Sequence, residues 1–330
     1  MNDFIPRGAP LEECAAAAPE RPFDARVSRA RALCLRRRPL EATRSEVQRA
    51  DAPAAQIVMD VRRVVTGKGR AAVGAFVVEG RRMLERGLRA GWAPRAILLA
   101  KSIAEADADG RALVELGRQR GASCHILPDA ELLGIADGRN AGLLMALFEL
   151  PRTPSLSEVV PSPAGGSLLL GIVDVDEPGN VGALIRTALA SGASAAICVG
   201  STDPFHPKAV RTSLGSLFKL PLVRMPSAGL LEHLRGHGVF SIAAVAKSGA
   251  ALDCASWPAS SNIAVLVGNE TRGLAESLRE EADARVSIDL STAADSFCVN
   301  AAAAVCLYEV QRRVRLFSLT SGGDLTRQVP

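Results

Sequence analysis

Between Leu168 and Ile288 short apolar runs return at intervals: Leu168 to Val175, Ala195 to Val199, Val239 to Val245, Ile263 to Val267 and Arg285 to Ile288. Each is short and nearly free of polar alternation, the pattern of a strand buried on both faces, and helical patterns lie between most of them. Such a series predicts an α/β unit whose mainly parallel sheet is covered by helices on both sides. A last helix is expected from Cys298 to Arg313, with Val299, Ala302, Ala303, Cys306 and Val310 on one stripe, and residues 314 to 330 turn polar and are expected to fray.

A second α/β unit precedes it. Ala75 to Val78 reads as a strand, Gly80 to Gly91 as a helix and Ala96 to Leu99 as a strand. A helix around Gly110 to Arg120, the strand Ser123 to Leu127, a short helix near Asp129 to Gly134 and the strand Leu143 to Phe148 complete it. The chain of 330 residues therefore divides into a basic extension (1–52), a small α/β domain (53–150), a linker rich in Pro, Ser and Gly (151–166), the larger domain (167–316) and a polar tail (317–330). Within the extension, Phe23 to Arg37 has the pattern of a helix with a weak apolar face.

Formal net charge is only +4, but arginine crowds the first fifty residues and Arg62, Arg63, Lys68 and Arg70 follow. That density suits phosphate contacts, and equally a solvated tail. The seven cysteines are scattered and form no CxxC pair, which argues against a disulfide framework or a zinc site. The four histidines and the carboxylates show no ligand spacing, so no metal is expected. Acidic Asp3, Glu12 and Glu13 precede any apolar run, no stretch reaches membrane-spanning length without charge, and a cytoplasmic protein is expected.

Three polar turns interrupt the larger domain. The first follows Val175 and runs Asp176-Glu177-Pro178-Gly179-Asn180-Val181-Gly182, leading to Arg186. A strand, a turn and then a helix expose backbone N–H groups toward an anion. On physics alone Asn180 serves equally as a plain helix cap and Arg186 as a surface ion-pair partner. The second turn, Gly268-Asn269-Glu270-Thr271-Arg272-Gly273, follows the strand Ile263 to Val267. Its glycines let a ligand approach the backbone, while Glu270 reads either as an acceptor at a site or as a buttress for the loop. The third is Asp295-Ser296-Phe297-Cys298-Val299-Asn300, opening the Ala-rich helix.

Together these stretches resemble the SpoU (TrmH-like) RNA methyltransferases of the SPOUT superfamily. Asn180-Val181-Gly182-Ala183-Leu184-Ile185-Arg186-Thr187-Ala188 looks like the family's first signature, and Asp203 to Phe218 is similar to its intermotif segment. Gly74 to Leu84, with the strand at Ile97 and Gly142 to Ala146, looks like its L30e-like substrate-binding domain. The resemblance implies S-adenosyl-L-methionine as cofactor, held near Val267, Gly268, Ile288, Leu290, Ser296 and Phe297. It implies Arg186, Asn180 and Glu270 as catalytic residues, a deep trefoil knot, and a homodimer formed through the first and last helices of the domain, which the Ala301 to Ala304 run permits. Arg186 would then work beside a cofactor bound by the other copy. RNA, ribosomal first and transfer RNA second, would be gripped by Arg62, Arg63, Lys68, Arg70, Arg81, Arg82, Lys208 and Arg211, with His206 a further contact or an ordinary surface histidine.

The implied activity is methylation of a ribose 2′-hydroxyl. A guanidinium holds its proton tightly, so Arg186 is expected to clamp phosphate and stabilise a developing alkoxide before it accepts a proton. One departure from the pattern stands out: Ser296-Phe297-Cys298-Val299-Asn300 occupies the place of Ser-Leu-Asn-Val-Ser. Cys298 reads as a small buried hydrophobe, and the amide of Asn300 falls on another helix face. Two alternatives stay open, a catalytically weak RNA-binding member and a SPOUT enzyme acting on a base nitrogen or a small molecule.

Overall fold

The computed structural model describes residues 53–135, 143–160, 166–258, 262–291 and 296–320. The helix read at Phe23 to Arg37 and Asp295 of the third turn lie outside these residues.

The first unit opens with helices α1 (Ala54–Arg63) and α2 (Gly67–Val73). Strand β1 (Ala75–Glu79), helix α3 (Arg81–Arg89) and β2 (Ala96–Ala100) follow, then α4 (Lys101–Ala106), α5 (Ala108–Gln119), β3 (Ser123–Leu127), α6 (Asp129–Leu133) and β4 (Leu144–Glu149). The sheet order is β1-β4-β2-β3. Antiparallel β4 sits between β1 and β2, while β2 and β3 are parallel.

Residues 151–166, expected as a linker, carry the short helix α7 (Leu156–Val159), started by a Ser155/Glu158 capping box. Leu156 and Val159 are buried against the larger sheet, so α7 is packed down.

That sheet comprises β5 (Leu168–Val173), β6 (Ala195–Val199), β7 (Leu222–Met225), β8 (Val239–Ala244), β9 (Ala250–Ala251), β10 (Asn262–Val267) and β11 (Ala284–Ser287). Its order is β7-β6-β5-β10-β8-β11-β9, and all its paired strands run parallel. Helices α8 (Pro178–Ala190), α9 (Pro207–Thr212), α10 (Leu230–Gly236), α11 (Glu276–Glu281) and α12 (Val299–Thr320) cover it. The predicted α/β class with a mainly parallel sheet is what the chain adopts. Chain order reverses between β5 and β10, which places the carboxyl ends of β5, β10 and β8 around one crevice.

The last helix departs from expectation. It continues to Thr320, so residues 314–320 are helical where fraying was expected. Val314, Leu316, Phe317 and Leu319 keep that stretch largely apolar in sequence, and no Gly or Pro stands in it to stop the helix. Ala303, Cys306 and Val310 of its predicted stripe are buried, and Val299 and Ala302 are half-buried.

The two sheets share a core. Phe76, Trp92 and Phe148 of the first unit pack on Phe205 and Phe218, which lie between β6 and β7. Ring centroids are 5.0 Å apart for Phe76 and Phe205 and 5.3 Å for Trp92 and Phe218. The indole N–H of Trp92 donates to the carbonyl of Phe218 at 2.9 Å, and Arg86 donates to the carbonyl of Leu214 at 2.5 Å. Buried aromatics with a satisfied polar edge make a stiff joint.

Candidate active site

The first turn is built on an uncommon backbone. Asp174 has φ 49°, a left-handed conformation that a short polar side chain tolerates because it can bond locally. Its carboxylate accepts from the N–H of Ser201 at 3.1 Å and the hydroxyl of Ser227 at 3.3 Å. Helix α8 then starts with Pro178 in its first turn and Glu177 as its cap, accepting from the N–H of Gly179 at 2.9 Å. The hydrogen bond from Lys208, with that from Gly179, holds the Glu177 carboxyl below its ordinary range. Because Glu177 caps the helix, Asn180 is spared that task. Its Nδ2 instead donates to Glu270 Oε1 at 2.7 Å.

Gly182, one half-turn on, is required by close packing: a Cβ there would stand 2.1 Å from both the Ala209 carbonyl oxygen and the Thr212 hydroxyl. The intermotif segment is thereby pressed against the helix that carries Asn180 and Arg186. His206 caps α9 by accepting from the N–H of Lys208 at 3.2 Å.

The second turn folds back on itself, with Asn269 and Gly273 exchanging backbone hydrogen bonds of 3.1 and 2.9 Å. Gly268 faces that return so closely that a Cβ would meet the Gly273 carbonyl carbon at 2.4 Å. Only glycine fits between the two arms of this turn, and Gly268 meets the crevice with its backbone alone.

The crevice has a volume of about 890 Å3. Val267, Gly268, Ile288, Leu290, Ser296 and Phe297 all line it, as do Asn180 and Glu270. Phe297 is 45% exposed, an aromatic face left for a flat partner. Its walls thus suit a nucleoside-sized cofactor: apolar side chains, bare backbone at Gly268 and a polar mouth. Ala244 at the end of β8 and Val245 to Ser248 after it also line the crevice and were not singled out as site residues in the sequence, although their place at a strand's carboxyl end is the signal that marks the other loops. Among the described residues no group of three or more His, Cys, Asp or Glu is placed to hold a metal.

Cys298 sits otherwise than expected, while Asn300 and Arg186 lie off the crevice wall. Cys298, expected to be buried, is exposed on the crevice wall, because α12 begins one residue later. Asn300 turns away as its helix position predicted, and its Oδ1 accepts from the Thr187 hydroxyl at 3.4 Å. Arg186 is exposed on α8 but is not part of the crevice wall. Six residues separate it from Asn180, so the two side chains leave the helix roughly 120° apart.

Of the cations expected to meet RNA, Arg62, Arg63, Lys68 and Arg82 are exposed. Arg81 bridges Asp107 at 3.2 Å and Asp109 at 3.5 Å, Lys208 pairs with Glu177 at 2.7 Å, and Arg211 with Glu79 at 3.7 Å. Arg70 is a correction: it is 4% exposed, donates to the carbonyls of Val64 and Val65 and pairs with Asp203. A guanidinium spent on buried carbonyls and on the other unit's carboxylate is a structural tie.

A doubly covered parallel sheet whose carboxyl ends carry this crevice is the arrangement that the resemblance to SPOUT methyltransferases implies. Residues 167–308 match the SpoU rRNA Methylase family, and the chain carries a domain of that family. The chain is 26% identical over 257 residues to the 23S rRNA (guanosine(2553)-2'-O)-methyltransferase RlmP of Bacillus subtilis, covering 78% of this chain and 96% of that one. It is 38% identical over 141 residues to the 23S rRNA (uridine(2479)-2'-O)-methyltransferase of Streptomyces viridochromogenes, 41% of this chain and 49% of that protein. Among solved structures, the SpoU methyltransferase AviRb of Streptomyces viridochromogenes in complex with the cofactor AdoMet superposes with a TM-score of 0.69 at 27% identity, covering 80% of this chain and 99% of that one. An AdoMet-bound rRNA methyltransferase from Sinorhizobium meliloti gives 0.68 at 27% identity, with 80% and 97% covered.

Proposed function

We propose that this protein is an S-adenosylmethionine-dependent methyltransferase that modifies a ribose 2′-hydroxyl of ribosomal RNA. The observation that carries the reading is the Asn180–Glu270 contact at the mouth of the crevice, 2.7 Å long, beside the bare backbone of Gly268. The relatives named above, two of them rRNA 2′-O-methyltransferases, support the same activity.

When bound, the cofactor supplies a methyl group already activated by a sulfonium. What remains for the protein is to align the acceptor oxygen and to manage its proton. Asn180, fixed by Glu270, orients the ribose hydroxyl. Arg186 clamps an RNA phosphate and stabilises negative charge on the oxygen as its proton leaves.

Arg186 lies outside its own chain's crevice, and a second copy supplies the geometry. Beside it, a groove of about 540 Å3 between α8 and α12 is lined by Thr187, Ala190, Ser191, Ala304, Val305, Tyr308 and Gln311. Tyr308 is 65% and Val305 39% exposed there. We read this face as the homodimer contact, through which each Arg186 reaches the partner's crevice. The knotted path of the C-terminal segment and the role of the first unit as an L30e-like RNA grip, using Arg62, Arg63, Lys68 and Arg82, belong to the same reading. So does a cytoplasmic site of action; among the described residues no helix is long and apolar enough to cross a membrane.

Incubation with labelled S-adenosylmethionine and total RNA tests the proposal, with Arg186→Ala as control. Label that digests to a 2′-O-methyl nucleoside in ribosomal RNA supports it. Label on a base or a metabolite, or cofactor binding without transfer, overturns it.

A further inference from the structure

Between Gly268 and Glu270 stands a third residue of the crevice wall, Asn269, to which the reading above gives no role. Asn269 is 8% exposed, and its amide is fully used. Nδ2 donates to the carbonyl of Asp174 at 3.0 Å and to Asp176 Oδ2 at 2.9 Å. Oδ1 accepts from the N–H groups of Thr271 at 2.9 Å and Arg272 at 3.1 Å. Two backbone N–H groups can only donate, so the oxygen must face them and the nitrogen must face Asp174 and Asp176. Both donors and both acceptor positions of one side chain are thereby satisfied.

These bonds join separate strand ends. The acceptor side shapes the turn after β10, and the donor side fastens it to the turn after β5. Asp174 and Asp176 are themselves held by Ser201, through its N–H at 3.1 Å and its hydroxyl at 3.1 Å, and Arg272 lies 3.4 Å from Asp176. Without the donor side, the turn bearing Gly268 and Glu270 keeps its internal shape and loses its position relative to Asn180.

We infer that Asn269 is a positioning residue that sets the cofactor shelf at Gly268 and the reach of Glu270 to Asn180 before any ligand arrives. The inference rests on the cofactor reading given above. It belongs to the amide nitrogen in particular, since the acceptor contacts alone would be kept by a carboxylate.

That difference supplies the test. In Asn269→Asp the acceptors for Thr271 and Arg272 remain, while the Asp174 carbonyl and the Asp176 carboxylate face a new carboxylate. Two carboxylates so close share a proton, which raises the apparent pKa of the pair, although Arg272 beside Asp176 opposes the rise. Glu270 on the same turn faces Asn180, and Glu177 nearby is paired with Lys208. A proton on the pair restores a donor toward Asp176, and raising the pH removes it. Calorimetric titration with S-adenosylmethionine is therefore expected to show Asn269→Asp weaker than wild type by about tenfold or more at pH 8 and by about threefold or less at pH 5.5, with wild type changing little. The exchange variant Asp176→Asn/Asn269→Asp puts a donor back between the two positions at unchanged net charge, and its affinity is expected within about threefold of wild type at both pH values.

Wild-type affinity for Asn269→Asp at pH 8 overturns the inference. So does a loss that is equal at both pH values and not restored by the exchange. If Asn269→Asp does not fold, the exchange variant decides alone: near-wild-type affinity supports the inference and a tenfold loss overturns it. A wild-type protein that fails to bind S-adenosylmethionine instead removes the cofactor reading.

Discussion

Asn180 Nδ2 and Glu270 Oε1 meet at 2.7 Å across 90 positions of sequence, and the contact links the turn that starts α8 to the turn that ends β10. A glutamine at position 270 retains an oxygen that can accept from Asn180, whereas alanine removes it. Glu270→Ala is expected to lower kcat for methyl transfer by about a hundredfold and Glu270→Gln by about tenfold or less. Single-turnover transfer to ribosomal RNA checks the ordering; equal losses in the two variants would contradict it.

Much of this site is legible in the sequence because the first two turns end apolar runs and the third opens an Ala-rich helix. Ser123–Leu127 and Ala195–Val199 occupy the bounds that their composition predicts. Short or polar pieces are not legible: β9 has two residues, and β7 has four, one of them Arg224. Arg70 misleads because its carboxylate partner, Asp203, lies 133 positions away, and an arginine near glycine reads the same for phosphate as for buried carbonyls. Cys298 misleads by a single residue of helix start, which leaves it on an open wall where a small buried hydrophobe was expected.

Arg186 is exposed and outside the crevice wall of its own chain. Its loss should therefore spare cofactor affinity and damage the chemical step. Arg186→Ala is expected to lower kcat by about 10²–10³ with S-adenosylmethionine affinity unchanged by calorimetry. Arg186→Lys should recover little, because an ammonium lacks the planar fork. A tenfold change in cofactor affinity would make Arg186 a cofactor contact and contradict its role at the substrate.

Cys298 is an exposed thiol on the crevice wall, and Cys306 behind it is pushed up to about 12 by burial and stays inert. Iodoacetamide should therefore modify Cys298, block cofactor binding and be slowed by S-adenosylmethionine. Cys298→Ser should abolish the blockade while keeping activity within about threefold, as for a thiol with no part in the chemistry. Mass spectrometry of the labelled peptide and residual transfer activity check both halves. The exposed Cys254 lies outside the crevice wall, and its alkylation is expected to leave cofactor binding intact.

Phe218 is 2% exposed at the joint of the two units, with Trp92 at 5.3 Å and Phe148 at 5.4 Å. Phe218→Ala is expected to cost about 3–5 kcal/mol. Because the aromatic core belongs to both sheets, loss of the ring should destabilise both. Denaturant unfolding followed by tryptophan fluorescence, which reports Trp92 and Trp257 on either side, should show both signals moving to lower midpoint together.

Glu309 on α12 receives Arg312 Nε and Arg313 Nε at 2.7 Å each. Arg313 in turn donates to the carbonyls of Leu252 and Asp253 at 2.7 Å each and to that of Ala255, and lies 4.1 Å over the Trp257 ring. Glu309 thus aims the guanidinium that ties the segment after β9 to the last helix. The hydrogen bond from Arg312, together with that from Arg313 and against the cost of burial, lowers the Glu309 carboxyl from 4.5 to about 2. A depressed acid stabilises the fold above its unfolded pKa, and the contribution is lost as pH falls through the folded value. Wild type should therefore melt above Glu309→Gln by a constant margin at pH higher than about 5, and the margin should shrink as the pH is lowered through 4.5 toward 2. Scanning calorimetry across that range is the check; a margin that grew on acidification would reverse the sign of the argument and detach Glu309 from the clasp.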